Sequence, residues 1–132
     1  MANITDNGEL MDIFYEETQS LIDEMRQGLS TLSQGQETSE DQSAVLRRLF
    51  RCAHVIKSSS ASVGLDELKK VAATLEKIFK KAGDERFVMT ADVISLLSES
   101  VEACQKLLNK EEIVGYKELL GRLNSILQPC RG

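Results

Sequence analysis

The chain has 132 residues, of which 42% are apolar and 28% charged, and this is the size and composition of one globular domain with its own core. The net charge of −5 excludes the basic footprint of a nucleic-acid-binding domain. No run approaches the ~18 apolar residues of a membrane span, and the first ten residues lack the basic-then-apolar order of a secretory signal.

The cysteines and the histidine limit the chemistry that is open to the chain. Cys52, Cys104 and Cys130 are widely spaced, odd in number and form no CxxC pair. We therefore expect neither a zinc site nor a disulfide framework, and we expect a reduced, cytoplasmic chain. His54 is the single histidine, which excludes multi-histidine metal sites, so no metal and no cofactor are expected.

Apolar residues recur at helical spacing along most of the chain, with no convincing strand pattern. The spacing predicts helices over about residues 9–32, 42–63, 65–82, 90–109 and 114–127. The polar segment 33–43 is interpreted as a loop, Gly64 as the stop of the second helix, Thr90 as an N-cap, and Pro129 as lying just beyond the last helix.

Each predicted helix has an apolar stripe that should be buried. The first stripe comprises Leu10, Ile13, Phe14, Leu21, Met25, Leu29 and Leu32. The second comprises Val45, Leu49, Cys52, Ala53 and Ile56. The third comprises Leu68, Val71, Ala72, Leu75, Ile78, Phe79 and Ala82. The fourth comprises Ile94, Leu97, Val101, Cys104 and Leu108, and the fifth Tyr116, Leu120, Leu123 and Leu127.

Five amphipathic helices with short connections predict an all-α fold, an antiparallel bundle with a four-helix core and one additional helix. We expect the last four helices to form that core, or the first helix to cross over it. The bundle is expected to cover residues 9–128, with residues 1–8 as an N-terminal tail and 129–132 as a tail or the start of a linker.

The second helix carries His54, the residue most suited to a chemical role. On a helical wheel His54 falls almost opposite the centre of the apolar stripe and away from Cys52, so the two share no metal ion. Its companions on that face are Arg47, Phe50, Arg51, Lys57, Ser58 and Ala61. The imidazole is therefore expected to face solvent between basic groups, with small side chains further along the helix. An ordinary surface histidine would fit the same pattern.

Two nearby residues favour a functional histidine. Lys57 lies three positions after His54 and shares its face, so its ammonium group could neutralise a phosphoryl group on the ring. Glu76, at the edge of the third helix's stripe, could accept a hydrogen bond from one ring nitrogen and make the other more nucleophilic. The alternative for Glu76 is an i,i+4 pair with Lys80.

The stretch AHVIKSSSASVGLDELKKVAATLEKIF, Ala53 to Phe79, resembles the histidine-containing phosphotransfer (HPt) domain, most of all the version at the N-terminus of CheA-type chemotaxis histidine kinases. That family has a histidine, a lysine three on, small residues, a glycine and then a leucine–glutamate pair. The matching positions here are His54, Lys57, Ser58, Gly64, Leu75 and Glu76. The family usually has glycine where Ser58 stands.

The resemblance implies that His54 is the phospho-acceptor, supported by Lys57 and Glu76. It would take a phosphoryl group from a histidine kinase or a receiver phospho-aspartate and pass it to an aspartate of a receiver domain. Because the sequence has no P-loop and no glycine-rich phosphate cradle, the chain is interpreted as a phosphoryl carrier rather than an autonomous enzyme. It could also be the N-terminal part of a larger histidine kinase.

The expected partners are a response-regulator receiver domain and a histidine kinase ATP-binding domain, with no nucleic acid and no membrane. The docking surface is expected around His54, at Phe50, Arg51, Ser58 and Ala61, with a half-buried packing residue as the alternative for Phe50. An alternative is a non-catalytic helical scaffold with an inert His54. A hydrolase is disfavoured, because the serines that follow on the same helix lack a sharp turn to present them.

Overall fold

The computed structural model describes residues 7–35, 39–84 and 89–128, and over these ranges the chain forms five α-helices and no strand. The helices are α1 (Asn7–Gln34), α2 (Ser39–Val63), α3 (Asp66–Gly83), α4 (Ala91–Leu108) and α5 (Tyr116–Leu127). The predicted all-α class and the five predicted helices are confirmed. No described helix has both the length and the apolar character that crossing a membrane requires.

The helices pack as a four-helix bundle with one helix added outside. Helix α1 contacts α2 and α4, and α3 contacts α2 and α4, which closes the ring, whereas α5 contacts only α3 and α4. The expectation that the last four helices form the core is wrong, because α1 completes the bundle and α5 is the additional helix. With only 12 residues, α5 buries just Leu119 and Leu123 fully.

Side-chain contacts give the directions of the helices. Tyr15 bonds Asn109, and Arg26 further along α1 bonds Glu102 earlier in α4, so these two helices are antiparallel. Successive helices joined by short connections are antiparallel as well. By contrast, α5 runs parallel to α3, since Tyr116 bonds the carbonyl of Glu67 and Lys81 bonds that of Leu127.

The boundary between α1 and α2 differs from the prediction. Helix α1 continues to Gln34 and α2 begins at Ser39, so most of the predicted loop 33–43 is helical. Serine and acidic residues suit both loops and the first turn of a helix, and composition alone does not separate the two. Pro129 lies outside the described residues.

The buried stripe of α1 is also displaced from the predicted one. Leu10 and Ile13, predicted to be buried, are 56% and 47% exposed, so this part of the prediction is wrong. Ile22 and Thr18 are buried in their place, on the line that runs from Phe14 to Leu32. The sequence offers apolar residues on two sides of this helix, and packing between α2 and α4 selects one of them.

The predicted stripes of α2, α3 and α4 are confirmed in full, since every residue assigned to them is buried. Thr90 caps α4 by accepting a hydrogen bond from the Val93 amide at 3.2 Å. In α5 only Leu123 of the predicted stripe is fully buried, and the other three members are partly buried against the core.

Gly64 forms the turn that brings α2 and α3 together. Its φ of +80° lies in the left-handed region, which glycine adopts without steric cost. The Leu65 amide then donates to the Ser60 carbonyl at 2.9 Å, the bond that closes a Schellman motif. This tight reversal lays α3 antiparallel alongside α2.

We expect Ser60→Ala to stabilise the protein by about 1 kcal/mol. Ser60 is fully buried, and its hydroxyl has no hydrogen-bond partner within the described part of the chain. The substitution removes an unsatisfied polar group and adds a better helix former. Urea unfolding measures the gain. Ser62→Ala is the matched control, because Ser62 is exposed and bonds the Ser58 carbonyl. Equal stabilities for the wild type and Ser60→Ala would contradict the expectation.

Candidate functional site

Helix α2 presents His54 on its outer face. Cys52, Ala53 and Ile56 point into the core and are buried, whereas the His54 side chain is 50% exposed. His54 and Cys52 therefore point in different directions, as predicted. Among the described residues no group of three or more histidine, cysteine or acidic side chains is arranged to hold a metal ion.

Glu76 of α3 connects His54 with Lys57. Its Oε2 lies 2.6 Å from Nδ1 of His54, and its Oε1 lies 2.7 Å from Nζ of Lys57. The alternative pairing of Glu76 with Lys80 is wrong, because Lys80 instead faces Asp84 at 3.6 Å. The Glu76 side chain is only 14% exposed, so this contact is well shielded for a surface site.

The environment of Glu76 keeps it ionised. Its partial burial alone would raise the pKa of the carboxyl group, but hydrogen bonds from Lys57 and His54 outweigh that effect and hold the pKa below its ordinary value. An ionised carboxylate can only accept hydrogen bonds. The short contact with His54 is therefore one in which Nδ1–H donates to Oε2.

This hydrogen bond determines which ring nitrogen can react. A neutral imidazole with its proton on Nδ1 has its lone pair on Nε2. Nε2 has no hydrogen-bond partner among the described residues, and half of the side chain is exposed. The site thus presents an oriented, accessible nitrogen lone pair on His54, and the Lys57 ammonium group binds the same carboxylate.

The residues of the predicted docking surface lie on the same helix as His54. Arg51, Ser58 and Ala61 are exposed, as is Arg47. Phe50 is half-buried, and its ring stacks on the His54 imidazole with the centroids 6.1 Å apart and the planes 16° from parallel. The stacking was not predicted from the sequence, although the i,i+4 spacing of the two rings is the signal that could have revealed it.

The chain also matches the model of a known protein family. The family model of the Hpt domain matches residues 9–125. The chain belongs to the Hpt domain family. The sequence-based resemblance is thereby confirmed.

Curated relatives of this Hpt domain are chemotaxis proteins. It is 30% identical over 103 residues to chemotaxis protein CheA of Borreliella burgdorferi. The aligned region covers 78% of this chain and 12% of that protein. It is 29% identical over 104 residues to CheA of Rhizobium meliloti, covering 79% of this chain and 13% of that protein. The chain therefore spans about an eighth of the length of the relatives that it matches.

A solved structure shares the fold of this Hpt domain. The P1 domain of CheA3 from R. sphaeroides superimposes with a TM-score of 0.74 over 90% of this chain and 96% of that one. The identity is 20%, so the likeness establishes the helical arrangement alone.

Proposed function

We propose that this Hpt domain is a phosphoryl carrier of a two-component relay, and that His54 is its phospho-acceptor. The observation that supports this most strongly is the Nδ1–Glu76 hydrogen bond, which leaves the lone pair of Nε2 directed to an accessible surface. A scaffold would need neither an oriented imidazole nor a carboxylate held ionised beside it.

The proposed loading step uses one nitrogen and one phosphorus atom. Nε2 attacks the γ-phosphorus of ATP held by a histidine kinase domain, an N–P bond forms, and the P–O bond to ADP breaks. The proton stays on Nδ1, where the Glu76 carboxylate stabilises the positive charge that the ring acquires. In the onward step a carboxylate oxygen of a receiver aspartate attacks phosphorus, and the N–P bond breaks.

Lys57 has two partners in this scheme. In the unphosphorylated protein its ammonium group pairs with Glu76 at 2.7 Å. One helical turn from His54, it also lies within reach of a phosphoryl group on that residue, whose negative charge it would neutralise. We propose that Lys57 holds Glu76 ionised before loading and supports the phosphoryl group afterwards.

We propose that the chain depends on its partners for ATP. The glycines of the described residues are scattered singly along the helices and turns, and none forms a loop that could cradle phosphates. The short coverage of the CheA relatives supports a bundle over residues 9–128 that works with, or within, a larger histidine kinase. The free, buried thiols of Cys52 and Cys104 suit a reducing compartment such as the cytoplasm.

The proposed receiver-docking face extends from α2 onto α1. Leu10 and Ile13 are exposed apolar side chains on the same side of α1 as Glu24, which pairs with Arg48 of α2. Val55, also exposed, lies two turns beyond Arg48 and beside His54. Leu10, Ile13 and Val55 thus add exposed apolar surface to the proposed face, and exposed apolar surface is typical of a docking site. The solved CheA3 relative is phosphorylated and in complex with CheY6, which supports a partner of that kind.

Labelling with radioactive ATP tests the proposed function. The chain is incubated with a histidine kinase ATP-binding domain and [γ-³²P]ATP, and the bound label is then exposed to acid and to alkali. We expect label that is lost in acid and retained in alkali, as for phosphohistidine, and that passes to an added receiver domain. A chain that binds the kinase domain yet remains unlabelled would favour the scaffold alternative.

We expect Ile13→Ser to weaken receiver binding about fivefold, because it removes an exposed apolar side chain from the proposed docking face. Binding should also weaken with added salt, because Arg47 and Arg51 attract an acidic partner through screened charges. Val114→Ser is the matched control, since Val114 is fully exposed in the connection after α4. Titration of the receiver, followed by backbone NMR shifts at two salt concentrations, measures both effects. A footprint confined to α4 and α5 would contradict this docking face.

A further inference from the structure

Phe50 and His54 lie one helical turn apart on α2 with their rings stacked, the centroids being 6.1 Å apart and the planes 16° from parallel. Aromatic rings attract each other in this offset arrangement. We propose that Phe50 is a positioning residue, which fixes the tilt of the His54 imidazole for phosphoryl transfer. The proposal rests on the proposed function of His54.

Phe50 can orient another ring because its own ring is held. It is half-buried and packs against the hydrophobic core. Phe79 of α3, which is buried, lines the same open groove as Phe50. The phenyl ring therefore packs against the core and, on another side, against the imidazole.

The stacking supplies a restraint that the Glu76 hydrogen bond lacks. One hydrogen bond at Nδ1 fixes the tautomer and anchors one edge of the imidazole, but it leaves the ring free to pivot about that contact. Such a pivot displaces Nε2, because this atom lies away from the anchored edge of the ring. A phenyl ring held against one face of the imidazole opposes the motion. Because attack on phosphorus needs aligned reacting atoms, the pivot would reduce the fraction of productive encounters.

Three variants separate positioning from packing. Phe50→Leu keeps an apolar side chain but removes the stacking, and Phe50→Tyr restores an aromatic ring. Leu46→Ala is the control, because Leu46 contributes to the same groove one turn earlier and is not stacked on the imidazole. Each chain is characterised by its rate of loading from a histidine kinase domain with ATP, and by the ¹H and ¹⁵N shifts of its single imidazole.

We expect Phe50→Leu to load about three- to tenfold more slowly, the range that corresponds to the loss of one aromatic pair. In this variant the carbon-bound protons of the His54 imidazole should lose the ring-current shift that the phenyl ring causes. The ¹⁵N shifts should still report a proton on Nδ1. Phe50→Tyr should recover both properties. Leu46→Ala should keep the wild-type proton shifts and load at more than half of the wild-type rate.

Four results would overturn the proposal. Unchanged imidazole proton shifts in Phe50→Leu would show that the rings do not stack in solution. A wild-type loading rate in Phe50→Leu, or an equal slowing in Leu46→Ala, would show that stacking does not set the rate, and phosphotransfer by His54 would still stand. Absence of label in the wild type as well would overturn the proposed function together with this proposal.

Discussion

His54→Gln is expected to abolish phosphoryl labelling while the helical content and melting temperature stay close to those of the wild type. His54 is the only imidazole in the chain, and a glutamine amide cannot act as a nucleophile toward phosphorus. The side chain is half exposed and contributes little to the core, so the free energy of unfolding should change by no more than about 1 kcal/mol.

The comparison requires labelling and circular dichroism on the same preparations. Lys69→Gln, an exposed substitution on α3 outside the proposed site, serves as the control and should label like the wild type. Full labelling of His54→Gln would rule out His54 as the acceptor. If the variant lost both its label and its helicity, unfolding would explain the missing label.

Glu76→Gln is expected to slow loading of His54 by about ten- to a hundredfold, the size of effect that follows loss of a carboxylate that orients a functional histidine. The glutamine amide can donate as well as accept, so it no longer requires the proton to be on Nδ1. It also carries no charge to stabilise the phosphorylated ring. The ¹⁵N shifts of the imidazole should report a mixture of tautomers where the wild type has the Nδ1–H form.

Glu67→Gln, an exposed change on the same helix, is the matched control for Glu76→Gln. An equal loading rate in the two variants would contradict the assigned role of Glu76.

We expect Glu76→Gln also to change the pH dependence of the free energy of unfolding. Because the pKa of Glu76 in the folded protein lies below its ordinary value of 4.5, its stabilising contribution is complete above that value and is lost as the pH falls through the folded-state pKa. Wild-type protein should exceed Glu76→Gln in free energy of unfolding by about 1 kcal/mol at pH 7, and by clearly less at pH 3. A difference that is independent of pH would show that the carboxylate is not held by charged partners.

Periodicity predicted the helices well wherever apolar residues occupy a single face. Every residue of the α3 stripe, from Leu68 to Ala82, is buried as predicted, because the opposite face is almost wholly polar. In α1 the apolar residues lie on two sides, so the wheel alone could not show that Ile22 is buried and Leu10 exposed. The additional helix was misassigned for a related reason, since a stripe shows that a helix packs but not which neighbour it packs against.

The candidate site was predictable from the sequence wherever a residue's position depends on a single helix or matches the family pattern. The outward face of His54 follows from its position opposite Ala53 and Ile56 on α2. The choice between Lys80 and His54 as the partner of Glu76 depends on how α3 lies against α2, which the turn at Gly64 determines. The stacking of Phe50 depends on a side-chain rotamer, and the sequence shows only that the two rings are one turn apart.

The atom that carries the phosphoryl group tests the central claim most directly. A ¹⁵N-labelled chain, phosphorylated by a histidine kinase domain with ATP, is examined by ³¹P–¹⁵N correlation NMR at alkaline pH. With Glu76 accepting a hydrogen bond from Nδ1 at 2.6 Å, phosphorus should couple to Nε2 of His54. Phosphorus bound to Nδ1, or attached to oxygen with no coupling to an imidazole nitrogen, would contradict the account.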